Sequence, residues 1–148
     1  MTQVIPREFV RASRVLYALW QDWKANEGQA WCHTGIFDLL VPDDLTVAGY
    51  TQASRQEGVR RRREHVVPRL ALCNRAFDMF SENSTIDEVA ELLQQFLKIV
   101  YVSSEEASKI DHHELGQKAG MPIPSWWLST DNLFARLEKA EIQFERLP

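Results

Sequence analysis

No run of apolar residues in this chain approaches the roughly 18–20 that a bilayer-crossing helix needs. Cysteine is scarce as well. Cys32 and Cys73 are the only two, too few for the bridged framework of a small secreted domain. The first residues, Met1-Thr2-Gln3-Val4-Ile5-Pro6-Arg7-Glu8, lack the basic and then apolar pattern of a signal peptide. A cytoplasmic protein is therefore expected, free of the membrane, with both thiols reduced and buried. There is no internal repeat, no low-complexity tract and no domain linker. No Gly-rich phosphate loop and no Gly-x-Ser-x-Gly elbow occurs, which removes the readings those motifs carry.

What is present is globular. Of 148 residues, 45% are hydrophobic and 26% charged, enough for one domain with a real core. The net charge of −4 hides an asymmetry. Residues 1–75 hold eleven Lys/Arg and eight Asp/Glu, whereas residues 76–148 hold six and thirteen. A generic nucleic-acid coat would be basic throughout. A basic patch on an acidic body suits a specific anionic partner or an internal counter-charge.

Apolar spacing predicts a helix over 7–25, opened by Pro6 and stopped by Asn26-Glu27-Gly28. Residues 31–41 fit either a strand or a short helix. A short helix is expected around 48–56, closed by Gly58. Val66-Val67 reads as a brief strand ended by Pro68, and residues 70–80 as a helix with Leu70, Cys73, Phe77 and Phe80 on one side. Thr85 with Glu88, and Ser103 with Glu106, are capping boxes that start two helices. The first runs to Leu97 and the second to about Leu115. Lys98 to Val102 is the clearest strand. Thr130 or Asp131 is expected to cap a last helix bearing Leu133, Leu137 and Ala140, and residues 142–146 alternate as a half-exposed strand does. The fold class is α+β: a mostly helical single domain with a small two- to three-stranded sheet.

The densest chemistry lies in Arg60-Arg61-Arg62-Arg63-Glu64-His65-Val66-Val67-Pro68-Arg69. Arginine is always charged, and its rigid fork fits phosphate or carboxylate. Arg60, Arg61, Arg62, Arg63 and Arg69 are thus candidate anion-binding residues. On a strand such a run alternates between faces, and some of it must pair with acidic residues of the same chain. A histidine beside a carboxylate serves as general base or metal ligand. It also serves as a half-buried residue bonded to Glu64 or to backbone. Cys32-His33, Cys73 and Asp111-His112-His113 supply ligand types for zinc, at spacings that match no zinc module. Cys73 lies in an apolar stripe and reads as core. Trp126 and Trp127, in a Pro-flanked loop, are candidates for a protein hot spot or a base-stacking platform.

Glu64-His65-Val66-Val67-Pro68 resembles the opening of the HNH nuclease motif, in which an acidic residue and a histidine precede two aliphatics and a proline. The resemblance implies that His65 is the general base, Glu64 a metal ligand, Asn74 the orienting residue, and His112 or His113 a second ligand to a divalent metal (Mg, Mn or Zn). The sequence departs from that pattern in three ways. Asn74 falls inside a predicted helix rather than a loop, His112 is distant in sequence, and paired Cys-x-x-Cys knuckles are absent. The Arg-Arg-Glu-His-Val-Val-Pro core and a Met-Pro-x-x-x-Trp segment (Met121 to Trp126) are also similar to small phage and mobile-element proteins. Two functions compete in that setting. One is a nucleic-acid-acting protein: a metal-dependent HNH-like nuclease, or a degenerate relative that keeps only binding. The other is a non-enzymatic, anti-CRISPR-like inhibitor that occludes a host defence nuclease through an acidic surface of that partner.

Overall fold

The computed structural model describes residues 4–28, 34–112, 128 and 132–147, the side chain of His112 excepted. Helix α1 (Arg7–Ala25) follows Pro6 and buries Phe9, Ala12, Ser13 and Leu16 along one stripe. Its end is a left-handed turn at Glu27 and Gly28 (φ 54° and 79°), closed by the Gly28 N–H on the Trp23 carbonyl at 2.8 Å. Short helices α2 (Ile36–Leu40) and α3 (Asp43–Thr46) lead into strand β1 (Val47–Tyr50). A 3-10 turn (Ala53–Arg55) precedes strand β2 (Arg61–His65) and helix α4 (Arg69–Ser81). Helix α5 (Ile86–Phe96), strand β3 (Ile99–Ser103) and helix α6 (Ser104–His112) follow. Helix α7 (Ala135–Lys139) and a two-residue strand β4 (Glu145–Arg146) complete the described chain. Among the described residues, no helix is long and apolar enough to cross a membrane.

Both capping boxes form as expected. Thr85 Oγ1 accepts from the Glu88 N–H while Glu88 Oε1 accepts from the Thr85 N–H, each at 3.1 Å. Ser103 and Glu106 exchange the same pair at 3.1 and 2.9 Å. The mostly helical α+β arrangement is the one the sequence implies. Its sheet has four strands in the order β2-β3-β1-β4, with β1 parallel to β3 and the outer pairs antiparallel.

Three segments differ from their sequence-based expectation. The helix expected around 48–56 is strand β1 plus the 3-10 turn. Gly49 explains part of this: a Cβ there would clash with the carbonyl of Glu145, so the strand needs a glycine to let β4 approach. The strand expected at Val66-Val67 lies one step earlier, in the charged run itself. Both valines instead form a bend and are buried at 1% and 0% exposure. The last helix begins at Ala135, and its expected caps Thr130 and Asp131 lie outside the described residues.

Two apolar cores result. One joins α1, α4 and α5 around Leu16, Leu72, Cys73 and Leu93. The other joins one face of the sheet, through Val100 and Val102, to Ile110 of α6 and Leu137 of α7. The opposite face of the sheet carries Arg61, Arg63 and His65 on β2, Tyr101 on β3 and Tyr50 on β1. That face positions the site.

Candidate nucleic-acid and anion interface

Strand pairing sorts the arginine run. Arg63 sits opposite Tyr101 and Arg62 opposite Val102, so consecutive arginines leave the strand on opposite sides. On the buried side, Arg62 Nη2 reaches Glu64 Oε2 at 3.1 Å and Arg62 Nη1 reaches Asp111 at 3.2 Å. Arg136 of α7 enters from below, 3% exposed. It donates to the carbonyls of His65 and Val66 at 2.9 and 3.1 Å, and its Nη2 lies 3.7 Å from Glu64. Burial pulls the Arg136 guanidinium down to about 10, which leaves it charged at neutral pH. Burial also raises the Glu64 carboxyl, against the pull of Arg62 and Arg136.

On the opposite side, Arg63 donates to Asp38 at 3.3 Å and to Asp43 at 2.5 Å. Arg69 donates to the other oxygen of Asp38 at 2.8 Å. His65 is mostly buried beside them, its side chain 13% exposed. Its Nε2 is 3.8 Å from Asp38 Oδ1, too far for a hydrogen bond, and has no other acceptor or donor among the described residues. Burial brings the imidazole down to about 4, and the adjacent Arg69 pushes the same way. His65 is neutral at physiological pH. Among the described residues, its Nε2 is bonded neither to Glu64, which faces away, nor to backbone.

The other expected site residues separate from this cluster. Asn74 is exposed on α4, one turn beyond the residues that approach His65. His113, Trp126 and Trp127, with the His112 side chain, Cys32 and His33, lie outside the described residues. Cys73 is core, 1% exposed. Among the described residues, no group of three or more His, Cys, Asp or Glu is placed to hold a metal. The carboxylates nearest His65 are committed to guanidinium groups.

Arg60 and Arg61 behave differently. Both are exposed, and neither has a carboxylate within ion-pair distance among the described residues. Arg61 lies over the Tyr101 ring, 4.9 Å from its centroid. Tyr101 stacks on Tyr50 at 5.1 Å and 10°, and Arg55 lies over Tyr50 at 4.9 Å. The open face thus presents a four-layer ladder, Arg61–Tyr101–Tyr50–Arg55. Tyr101 is pinned by its hydroxyl to Asp43 at 2.9 Å, and Arg55 by Glu145 at 3.1 Å. Sequence reasoning marked Arg60 to Arg63 but missed Tyr50, Tyr101 and Arg55. Their signal was the aromatic on each of two short β segments, which only sheet register brings together.

No protein-family model matches this chain, and no curated protein or solved structure shows significant similarity to it. The site is therefore read from its own geometry.

Proposed function

We propose that the protein binds single-stranded nucleic acid on the open face of its sheet and does not cut it. The observation that carries this is Arg61, exposed and with no carboxylate within ion-pair distance among the described residues, set over a stacked tyrosine pair. Single strands are held by backbone-tracking cations together with planar groups on which bases stack. Arginine planes and tyrosine rings both serve that stacking role. Catalysis draws less support. His65 is sunk between Arg69 and Asp38, its low pKa makes it a weak base, and Asn74 is not beside it. The setting we propose is a phage or mobile element, on the resemblance of the Arg-Arg-Glu-His-Val-Val-Pro core. Occlusion of a defence nuclease is the second reading. It draws on Val59 and Leu147, large apolar residues left 36% and 42% exposed, Leu147 flanking the tyrosine pair.

The test is fluorescence anisotropy with labelled single-stranded DNA and RNA, and with duplex DNA. Single strands are expected to bind more tightly than duplex. Arg61→Ala with Tyr101→Ala should weaken this by about a hundredfold, given one lost phosphate contact and one lost stacking group. Cleavage with Mg²⁺, Mn²⁺ or Zn²⁺ that disappears in His65→Ala would establish the nuclease instead. A folded protein that ignores all three nucleic acids would leave occlusion as the reading.

A further inference from the structure

The outer side of β2 presents main-chain groups that an added strand could meet. The Ser104 N–H donates to the Arg60 carbonyl, and the Val66 N–H to the Lys98 carbonyl, both at 2.9 Å. In an antiparallel ladder, main-chain groups turn toward the partner strand at every second residue. Residues 60, 62, 64 and 66 therefore face β3, and Arg61, Arg63 and His65 face outward. Among the described residues, no other backbone group bonds to the main chain of these three. The His65 carbonyl is taken instead by the Arg136 guanidinium at 2.9 Å. A cleft of about 480 Å³ runs along this side. Arg62 and Glu64 line it from one face of the strand, and Arg63 and His65 from the other, so it passes the edge itself. Charge is graded along it. Within the cleft, Arg62, Arg63, Arg69 and Arg136 are matched by Asp38, Asp43, Glu64 and Asp111. At the other end of β2, Arg60 and Arg61 are exposed. Neither has a carboxylate within ion-pair distance among the described residues.

We propose that this edge takes an extended segment of a partner protein as a fifth, antiparallel strand, its acidic end beside Arg60 and Arg61 and its uncharged residues along the cleft. In strand addition, main-chain hydrogen bonds supply affinity and alternate side chains supply specificity. The N–H and carbonyl of Arg61 and Arg63, with the His65 N–H, match a segment of about five residues. Arg136 stops the added strand at the His65 carbonyl. Opposite charges directly across a strand pair attract, and here only Arg60 and Arg61 have charge left to offer. The arginines farther in already hold carboxylates, so a charged residue there gains nothing. A second copy of this chain fits less well. Pairing β2 with its twin antiparallel about Arg63 sets that arginine against itself. The inference goes beyond the sheet-face reading, because it rests on main-chain groups and a cleft rather than on the tyrosine pair.

The experiment uses the full chain and a labelled, end-blocked peptide, Val-Thr-Val-Thr-Glu-Glu, followed by anisotropy. Saturable binding is expected. The same peptide ending in Lys-Lys should bind about tenfold more weakly. Arg60→Glu with Arg61→Glu should reverse that order, a gain for the lysine peptide that misfolding cannot mimic. N-methylation of the third and fifth peptide residues, opposite Arg63 and Arg61, removes donors aimed at β2 and should weaken binding by at least about tenfold. Methylating the second and fourth residues, whose N–H groups point away, should change it by less than about twofold. A folded protein that takes up neither peptide overturns the proposal. So does equal affinity for the two peptides, or an equal loss from both methylation patterns. Sedimentation as a dimer that excludes the peptide overturns it in favour of a second copy. Single-strand binding is measured on the same samples. Peptide bound without nucleic acid overturns the sheet-face reading alone, and nucleic acid bound without peptide overturns the edge alone.

Discussion

His65 makes the stability of the protein depend on pH in a defined direction. In the folded chain burial keeps the ring neutral down to about pH 4, whereas an unfolded histidine takes up its proton near 6.5. The unfolded state therefore binds the proton first. This contribution is constant above pH 6.5 and is lost as the pH falls from 6.5 to 4, by up to about 3 kcal/mol. Glu64 works in the opposite sense, since its raised pKa favours folding as its carboxyl protonates. Comparing urea denaturation of the wild type and His65→Gln between pH 7 and pH 4 cancels Glu64 and isolates the imidazole. The wild type should lose about 3 kcal/mol more than the variant over that range. Parallel curves would mean that the ring is not held neutral by its surroundings. Arg69, Arg63 and Arg136 oppose its charging, and Asp38 alone among its named neighbours favours it.

At the scale of elements, Arg136 of α7 holds down the end of β2. Arg136 caps two carbonyls where the strand turns into the buried Val66-Val67 bend, and it faces the buried Glu64. Arg136→Ala leaves that carboxylate and both carbonyls poorly matched, and should cost about 3–5 kcal/mol. Combining Arg136→Met with Glu64→Leu should recover much of the loss, because an apolar pair of similar volume needs no desolvated charges. Thermal or urea unfolding of the three proteins measures both effects. The same elements show what the sequence reveals. Helices α1, α4 and α5 declare themselves by apolar spacing, α5 also by its capping box, and β3 by its β-branched run. Strand β2 hides because all five of its residues are polar, so no alternation of apolar and polar marks it. Its alternation is instead between sets of counter-ions. These come from far along the chain: Asp43 is 20 residues and Asp111 is 49 residues from the arginines they bind. A local reading sees the cations of the site but not what neutralises them, and so overstates how many remain available.

For the whole molecule, an acidic body with a net charge of −4 carries a small cationic face. A polyanion meets net repulsion from the molecule and local attraction at that face, which orients its approach. With Arg55 and Arg61 as the phosphate contacts on that face, the logarithm of single-strand affinity should fall with the logarithm of salt at a slope of about −1.4. Anisotropy titrations across a salt series measure it, and Arg61→Ala should make the slope shallower by about 0.7. A slope near zero would point to contacts without phosphate. Strand order has a further consequence. β2 forms one border of the sheet, and among the described residues no strand pairs with its outer side, the usual starting point for runaway fibre growth. A twin strand laid parallel and in register along that border would bring Arg61 against its own copy, guanidinium against guanidinium. The opposite border is only two residues long. The charges that invite a foreign anion thus also keep identical copies from zipping together.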